Sequence, residues 1–150
     1  MNKTRGRRWF IAGSIALLVF GSVHLLAVYQ SLFVPPSTPA EIEADRALAA
    51  LKMDMGPFHP TGWHTVNILN SSYSALLLYV GVLNLVALGP AIAAGRLRKL
   101  TVVNIVFVAI LLTIVLALQF PPPALFAAIT LVLFAVSWFR QSDAESSASA

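Results

Sequence analysis

The sequence predicts an all-α membrane protein, a four-transmembrane-helix up-down bundle with a short amphipathic helix in the first outer loop. Three observations predict it. Of the 150 residues, 58% are hydrophobic and only 11% charged, against roughly 25% charged in a soluble globular domain, and the mean hydropathy is +0.81. Four stretches free of Asp, Glu, Lys and Arg run from Trp9 to about Val34, from about Gly62 to Leu88, from Leu100 to Phe120 and from about Pro122 to Phe139. Each falls within or above the range of about 17–25 residues that a helix rising about 1.5 Å per residue needs for a hydrocarbon core about 30 Å thick.

The third observation is where the charges fall. Lys3, Arg5, Arg7 and Arg8 precede the first span, Arg96, Arg98 and Lys99 separate the second from the third, and Arg140 follows the fourth. In a four-pass chain these segments share one side. The other side carries Arg46 and Lys52 against Glu41, Glu43, Asp45 and Asp54. The positive-inside rule then puts both termini in the cytoplasm and the 35–60 loop outside. The basic residues read as topology signals and contacts to anionic membrane lipids, and no nucleic-acid partner is expected. The basic start before an apolar run also resembles a signal peptide, but the run is long and lacks an A-x-A-like site before Gln30. An uncleaved signal anchor is the reading.

The elements follow in order. The first span ends before Pro35 and Pro36, which cannot continue a helix. In STPAEIEADRALAALKMDM, Ser37 or Thr38 caps, Pro39 suits a first turn and Glu41 supplies the acidic start. Ile42, Ala49 and Met53 recur at helical spacing, which predicts an amphipathic helix over about 38–55 that lies on lipid or over the bundle, ended by Gly56 and Pro57. Thr61 caps the second span, with Trp63 at the interface. Gly89 and Pro90 read as its stop. The third span is nearly pure aliphatic, with Asn104 and Thr113 inside it, and Pro121 to Pro123 turn the chain into the fourth. Short connections make neighbouring spans antiparallel. Residues 1–140 form one membrane domain, and QSDAESSASA, residues 141–150, reads as a disordered cytoplasmic tail.

The polar residues inside these spans are the candidates for function. At about 100° per residue His64, Asn67, Ser71 and Ser74 share a face, with Asn70 beside them. Unsatisfied polar groups in hydrocarbon cost several kcal/mol, so this stripe turns inward. His24 falls near mid-membrane, level with Ser71 or Ser74, and Tyr29, Gln30 and Gln119 lie nearer the outer end. The expectation is an outward-facing polar cavity that binds a small or lipophilic ligand through His24, His64, Asn67, Asn70, Ser71 and Tyr29, or a membrane partner protein. A simple interhelical hydrogen bond from a neutral His24 to Asn70 or Ser71 satisfies the same physics. Asn84 and Asn104 read as a hydrogen bond between the second and third spans.

Three chemistries remain as alternatives to a binding or accessory role. A membrane isomerase or hydrolase would use His24 as acid or base on a lipophilic substrate, though no carboxylate in the spans orients it and neither G-x-S-x-G nor H-E-x-x-H occurs. Copper would use His59 and His64 with Met53 and Met55, though Pro60 and Gly62 break the spacing that a helical histidine pair needs. A b-type haem would need axial histidines at one depth, whereas His24 and His64 are expected about 10 Å apart along the membrane normal. No cofactor is predicted. With no cysteine in the chain, disulfides, thiolate catalysis and cysteine-ligated metal centres are excluded.

GSVHLL in the first span and the Asn67 to Ser71 region of the second carry a resemblance. Gly21, His24, Trp63, Asn67 and Ser71 together resemble a pattern in small bacterial four-helix membrane proteins of uncharacterised function. That resemblance implies the four-pass topology, and with it a bacterial inner membrane is expected; it brings no activity.

Overall fold

The computed structural model describes residues 3–119 and 121–146, with the side chains of 6–119 and 121–141. Five helices follow one another: α1 (Lys3–Phe33), α2 (Pro39–Ala50), α3 (Gly62–Ala93), α4 (Leu97–Ala117) and α5 (Pro121–Ser146). Four of them are long and apolar enough to cross a membrane, over Gly6–Phe33, Gly62–Ala93, Leu97–Ala117 and Pro121–Gln141. The protein is a multi-pass helical membrane protein, and α2 is the short amphipathic helix between its first two spans.

Local chemistry explains most of the boundaries. Thr38 caps α2 in a full capping box: its hydroxyl accepts from the Glu41 amide at 3.2 Å, and the Glu41 carboxylate accepts from the Thr38 amide at 3.0 Å. The α2 helix stops at Ala50, earlier than expected, because residues 51–62 pair with each other. Gly62 donates to the Leu51 carbonyl at 2.7 Å, Met53 to Pro60 at 3.0 Å and Met55 to Phe58 at 3.0 Å. That ladder is a small antiparallel hairpin. Gly56, with φ +67°, precedes Pro57, whose ring holds φ near about −65°; these are the signs of a type II′ turn.

The expected stop at Gly89 and Pro90 is corrected. Pro90 lies inside α3, as membrane helices allow where neighbours resatisfy the freed backbone. The helix ends one turn later in a Schellman motif. Gly95, at φ +65°, donates to Ile92 at 3.1 Å, and Arg96 donates to Ala91 at 2.7 Å. The start of α4 is at Leu97 rather than Leu100. Its end is at Ala117 rather than Phe120, where Gln119 takes the left-handed position with φ 53°. The fourth helix continues past Phe139 to Ser146, its apolar span ending at Gln141, so 141–146 extend α5; residues 147–150 of the expected tail lie outside the described residues.

Two compact units divide the chain, Met1–Phe20 with Leu78–Ala150, and Gly21–Leu77. In the first, α4 buries Thr101, Asn104, Val108, Leu111 and Val115, and α5 buries Ala127, Thr130, Phe134, Ser137 and Gln141. Both sets step by three and four residues in turn, the seam of a knobs-into-holes pair. The beginning of α1 packs on α5 through Phe10 against Phe134, edge-on at 5.5 Å, and Phe20 stacked on Phe126 at 5.1 Å. Gly13 makes room for the Phe134 ring, which a Cβ there would meet at 2.9 Å. At the end of this unit Ser137 donates to the Gly6 carbonyl at 2.8 Å, and Gln141 donates to Ser137 at 2.9 Å and to Thr101 at 3.1 Å. That network ties α1, α4 and α5 together, as helices that share no hydrophobic drive in lipid require.

The second unit holds the end of α1, α2, the hairpin and the start of α3. The hairpin binds α2 to α3 through its backbone ladder, with the Thr65 hydroxyl of α3 also donating to Met53 Sδ at 3.1 Å. Gly62 sits so close to Leu48 that a Cβ would lie 3.0 Å from its carbonyl oxygen.

Candidate functional site

The second unit also holds the polar residues singled out in the sequence. Its two long helix segments run antiparallel, His24 meeting Ser74 and Ser31 meeting Asn67. The His24 Nδ1 lies 2.8 Å from Ser74 Oγ. Ser74 Oγ in turn lies 3.0 Å from the Asn70 carbonyl oxygen, one turn back along α3. A serine hydroxyl has one proton. Both contacts are hydrogen bonds at once only when Ser74 donates to Asn70 and Nδ1 donates to Ser74. In the neutral ring Nε2 then carries the lone pair, and it has no hydrogen-bond partner among the described residues. The Tyr73 ring stands edge-on to the imidazole, centroids 4.9 Å apart at 73°. His24 is half-buried and Ser74 fully buried.

Two turns nearer the end of α1, Ser31 Oγ lies 2.9 Å from both Asn67 Oδ1 and its own helix's Val28 carbonyl. Asn67 Nδ2 donates to the Trp63 carbonyl at 2.9 Å. Ser71 donates to the Asn67 backbone carbonyl at 2.7 Å. The inward stripe is therefore a ladder of paired polar groups joining α1 to α3.

Not every candidate joins it. His64 is exposed and belongs to the start of α3: Thr61 Oγ1 lies 2.8 Å from its Nδ1 and accepts from its amide at 3.4 Å. His64 thus fills the third helical position of a cap, a place where a side chain reaches back to the capping residue. Asn70 contributes its backbone carbonyl. Tyr29 is exposed, its ring 4.8 Å from that of Phe33.

The metal candidates go to separate partners. His59 Nδ1 lies 3.7 Å from Asp54 across the hairpin, both well exposed, while Met53 Sδ accepts from the Thr65 hydroxyl at 3.1 Å. No group of three or more His, Cys, Asp or Glu side chains suited to a metal ion gathers among the described residues. As haem ligands, His24 and His64 are badly placed: Ser74, the partner of His24, lies nearly three turns along α3 from His64, about 15 Å.

Two participants escaped the sequence reading. Ser31 lies two turns from His24 on the same face of α1, a spacing that marks it. The Gly6, Thr101, Ser137 and Gln141 network was hidden because Gln141 sits in a polar run that reads as tail. Asn84 and Asn104 do form the expected bond between spans, as a reciprocal pair. Compared with protein-family models, curated proteins and solved structures, the chain matches none.

Proposed function

We propose that this chain is an integral inner-membrane binding or accessory protein, termini in the cytoplasm, whose His24 site takes a lipophilic ligand carrying a hydroxyl or N–H donor. The observation that carries the reading is the Nδ1 to Ser74 to Asn70 relay. It holds one ring nitrogen as donor and so leaves Nε2 as an acceptor at mid-span, on an imidazole that packs against the Tyr73 ring. A polar acceptor within a membrane span is costly to leave unmet, and such residues commonly mark functional sites. The basic ends of the first, third and fourth spans support the orientation, with the acidic α2 loop on the other side.

An enzyme using His24 as a base is the second reading, favoured by the same lone pair. Among the described residues no carboxylate contacts His24 to stabilise an imidazolium, so binding is preferred over proton transfer. The test is to purify the whole chain in mild detergent, extract it and identify what it carries. The expected result is one class of donor-bearing lipophile at near one per chain, lost in His24→Ala and weakened in Ser74→Ala. Identical extracts from wild type and His24→Ala would end the proposal. A Soret band or stoichiometric copper would replace it with a redox accessory role.

A further inference from the structure

At the end of the first unit, two arginines that are remote in sequence share one cleft. The cleft, of about 480 Å³, is lined by Arg8, Trp9, Ala12 and Arg140. Its geometry follows from the Gly6 contact. Glycine there lets α1 approach α5 so closely that a Cβ would meet Gln141 Cγ at 2.7 Å, and Ser137 pins the Gly6 carbonyl at 2.8 Å. Gly6 and Gln141 are buried between the helices while Arg8, Trp9 and Arg140 are exposed beside them. The two guanidinium-bearing residues therefore flank one opening.

Like charges that share a cleft repel unless an anion lies between them. Among the described residues neither Arg8 nor Arg140 has an ion pair; Asp143 and Glu145 lie further along α5, beyond the residues with described side chains. The cleft also sits at a fixed depth. Arg8 and Trp9 lie at the start of the Gly6–Phe33 span and Arg140 at the end of Pro121–Gln141, the level where tryptophan and arginine meet headgroups. Below them Ala12 leaves a shallow apolar wall. Guanidinium pairs recognise phosphate oxygens through forked hydrogen bonds.

The geometry points to a binding site for one anionic phospholipid, its phosphate held between Arg8 and Arg140, its glycerol against Trp9 and the top of an acyl chain along Ala12. Free phosphate shares the headgroup chemistry but has nothing for Trp9 and Ala12 to hold. This site is independent of His24.

The test uses the full chain in a mild nonionic detergent, with bound lipid counted by native mass spectrometry. Dioleoyl phosphatidylglycerol, dioleoyl phosphatidylcholine and inorganic phosphate are the probes. One phosphatidylglycerol should bind per chain at least about tenfold more tightly than phosphatidylcholine. The Arg8→Gln, Arg140→Gln double variant should lose that preference, whereas Arg96→Gln, Lys99→Gln, which removes equal charge from the connection between α3 and α4, should keep it. Equal binding of the two lipids by the wild type, or equal loss in both variants, overturns the site. Displacement of phosphatidylglycerol by equimolar inorganic phosphate overturns the lipid as its occupant. The wild-type comparison between headgroups stands even where a variant fails to fold.

Discussion

The carboxamides of Asn84 and Asn104 close on each other, Asn84 Nδ2 donating to Asn104 Oδ1 at 2.7 Å and Asn104 Nδ2 donating back to Asn84 Oδ1 at 2.9 Å. Both residues are 3% exposed. A second bond from Asn104 Nδ2 to the Leu100 carbonyl, at 2.9 Å, leaves that amide group fully used. Asn84→Leu strands the Asn104 carboxamide in an apolar interface and should destabilise the protein by about 1–2 kcal/mol. The double variant Asn84→Leu, Asn104→Leu should recover part of this loss. Unfolding in detergent of the wild type, both single variants and the double variant measures the coupling; additive losses would mean that the two amides act separately.

Gly13 is a point of close approach between α1 and the aromatic core of α5. An alanine there places Cβ 2.9 Å from the Phe134 ring, and that ring is fully buried. Gly13→Ala should cost about 1–3 kcal/mol. Phe134→Leu in the same chain should restore part of it, a sign reversal because Phe134→Leu alone opens a void. Thermal midpoints by circular dichroism decide this.

The N-terminus of α2 should respond to acid. Hydrogen bonds from the Ser37 and Thr38 backbone amides hold the Glu41 carboxyl below its ordinary value, helped by the Ser37 hydroxyl. A depressed carboxyl contributes its stabilisation fully above the unfolded-state pKa, near 4.5, and loses it as pH falls through the lower folded value. The Ser37 and Thr38 amides should thus be more strongly protected, relative to their intrinsic exchange rates at each pH, above that range than below it. Glu41→Gln should flatten the pH dependence, as read by amide exchange in NMR.

Two turn positions should answer oppositely to glycine. Gln119 holds φ 53° and Gly95 φ +65°, each just past a helix end. A side chain in this region costs about 1–2 kcal/mol. Gln119→Gly should therefore stabilise by up to about 1 kcal/mol once the added chain entropy is deducted, while Gly95→Ala should destabilise. Paired denaturation curves check both signs.

The four spans, the cap at Thr38 and the Asn84–Asn104 bond were legible because each contrasts with its surroundings: amides inside aliphatic helices, or a threonine three residues before a glutamate. Pro90 misled because the rule that proline stops helices is a rule of water, and a membrane helix tolerates the missing N–H where neighbours compensate. His64 misled because a threonine three residues before it makes it a capping residue, while helical phase alone places it with Asn67. The His24–Ser74 pairing was narrowed to a level on α3 but not to a partner, since Ser71 and Ser74 differ by one turn and only the packed helices choose between them.

The hairpin over 51–62 has one further consequence, for how the protein can be handled. Gly62 spends its amide on Leu51 and tolerates no side chain against Leu48, so the ladder gives the chain no slack where it enters the lipid. The Gly56–Pro57 tip contacts nothing at its glycine and leads into a widely exposed Phe58. An epitope spliced into that tip would hang free and report which compartment it faces, whereas the same insert at Leu51 or Thr61 would unzip the clasp and set α2 adrift.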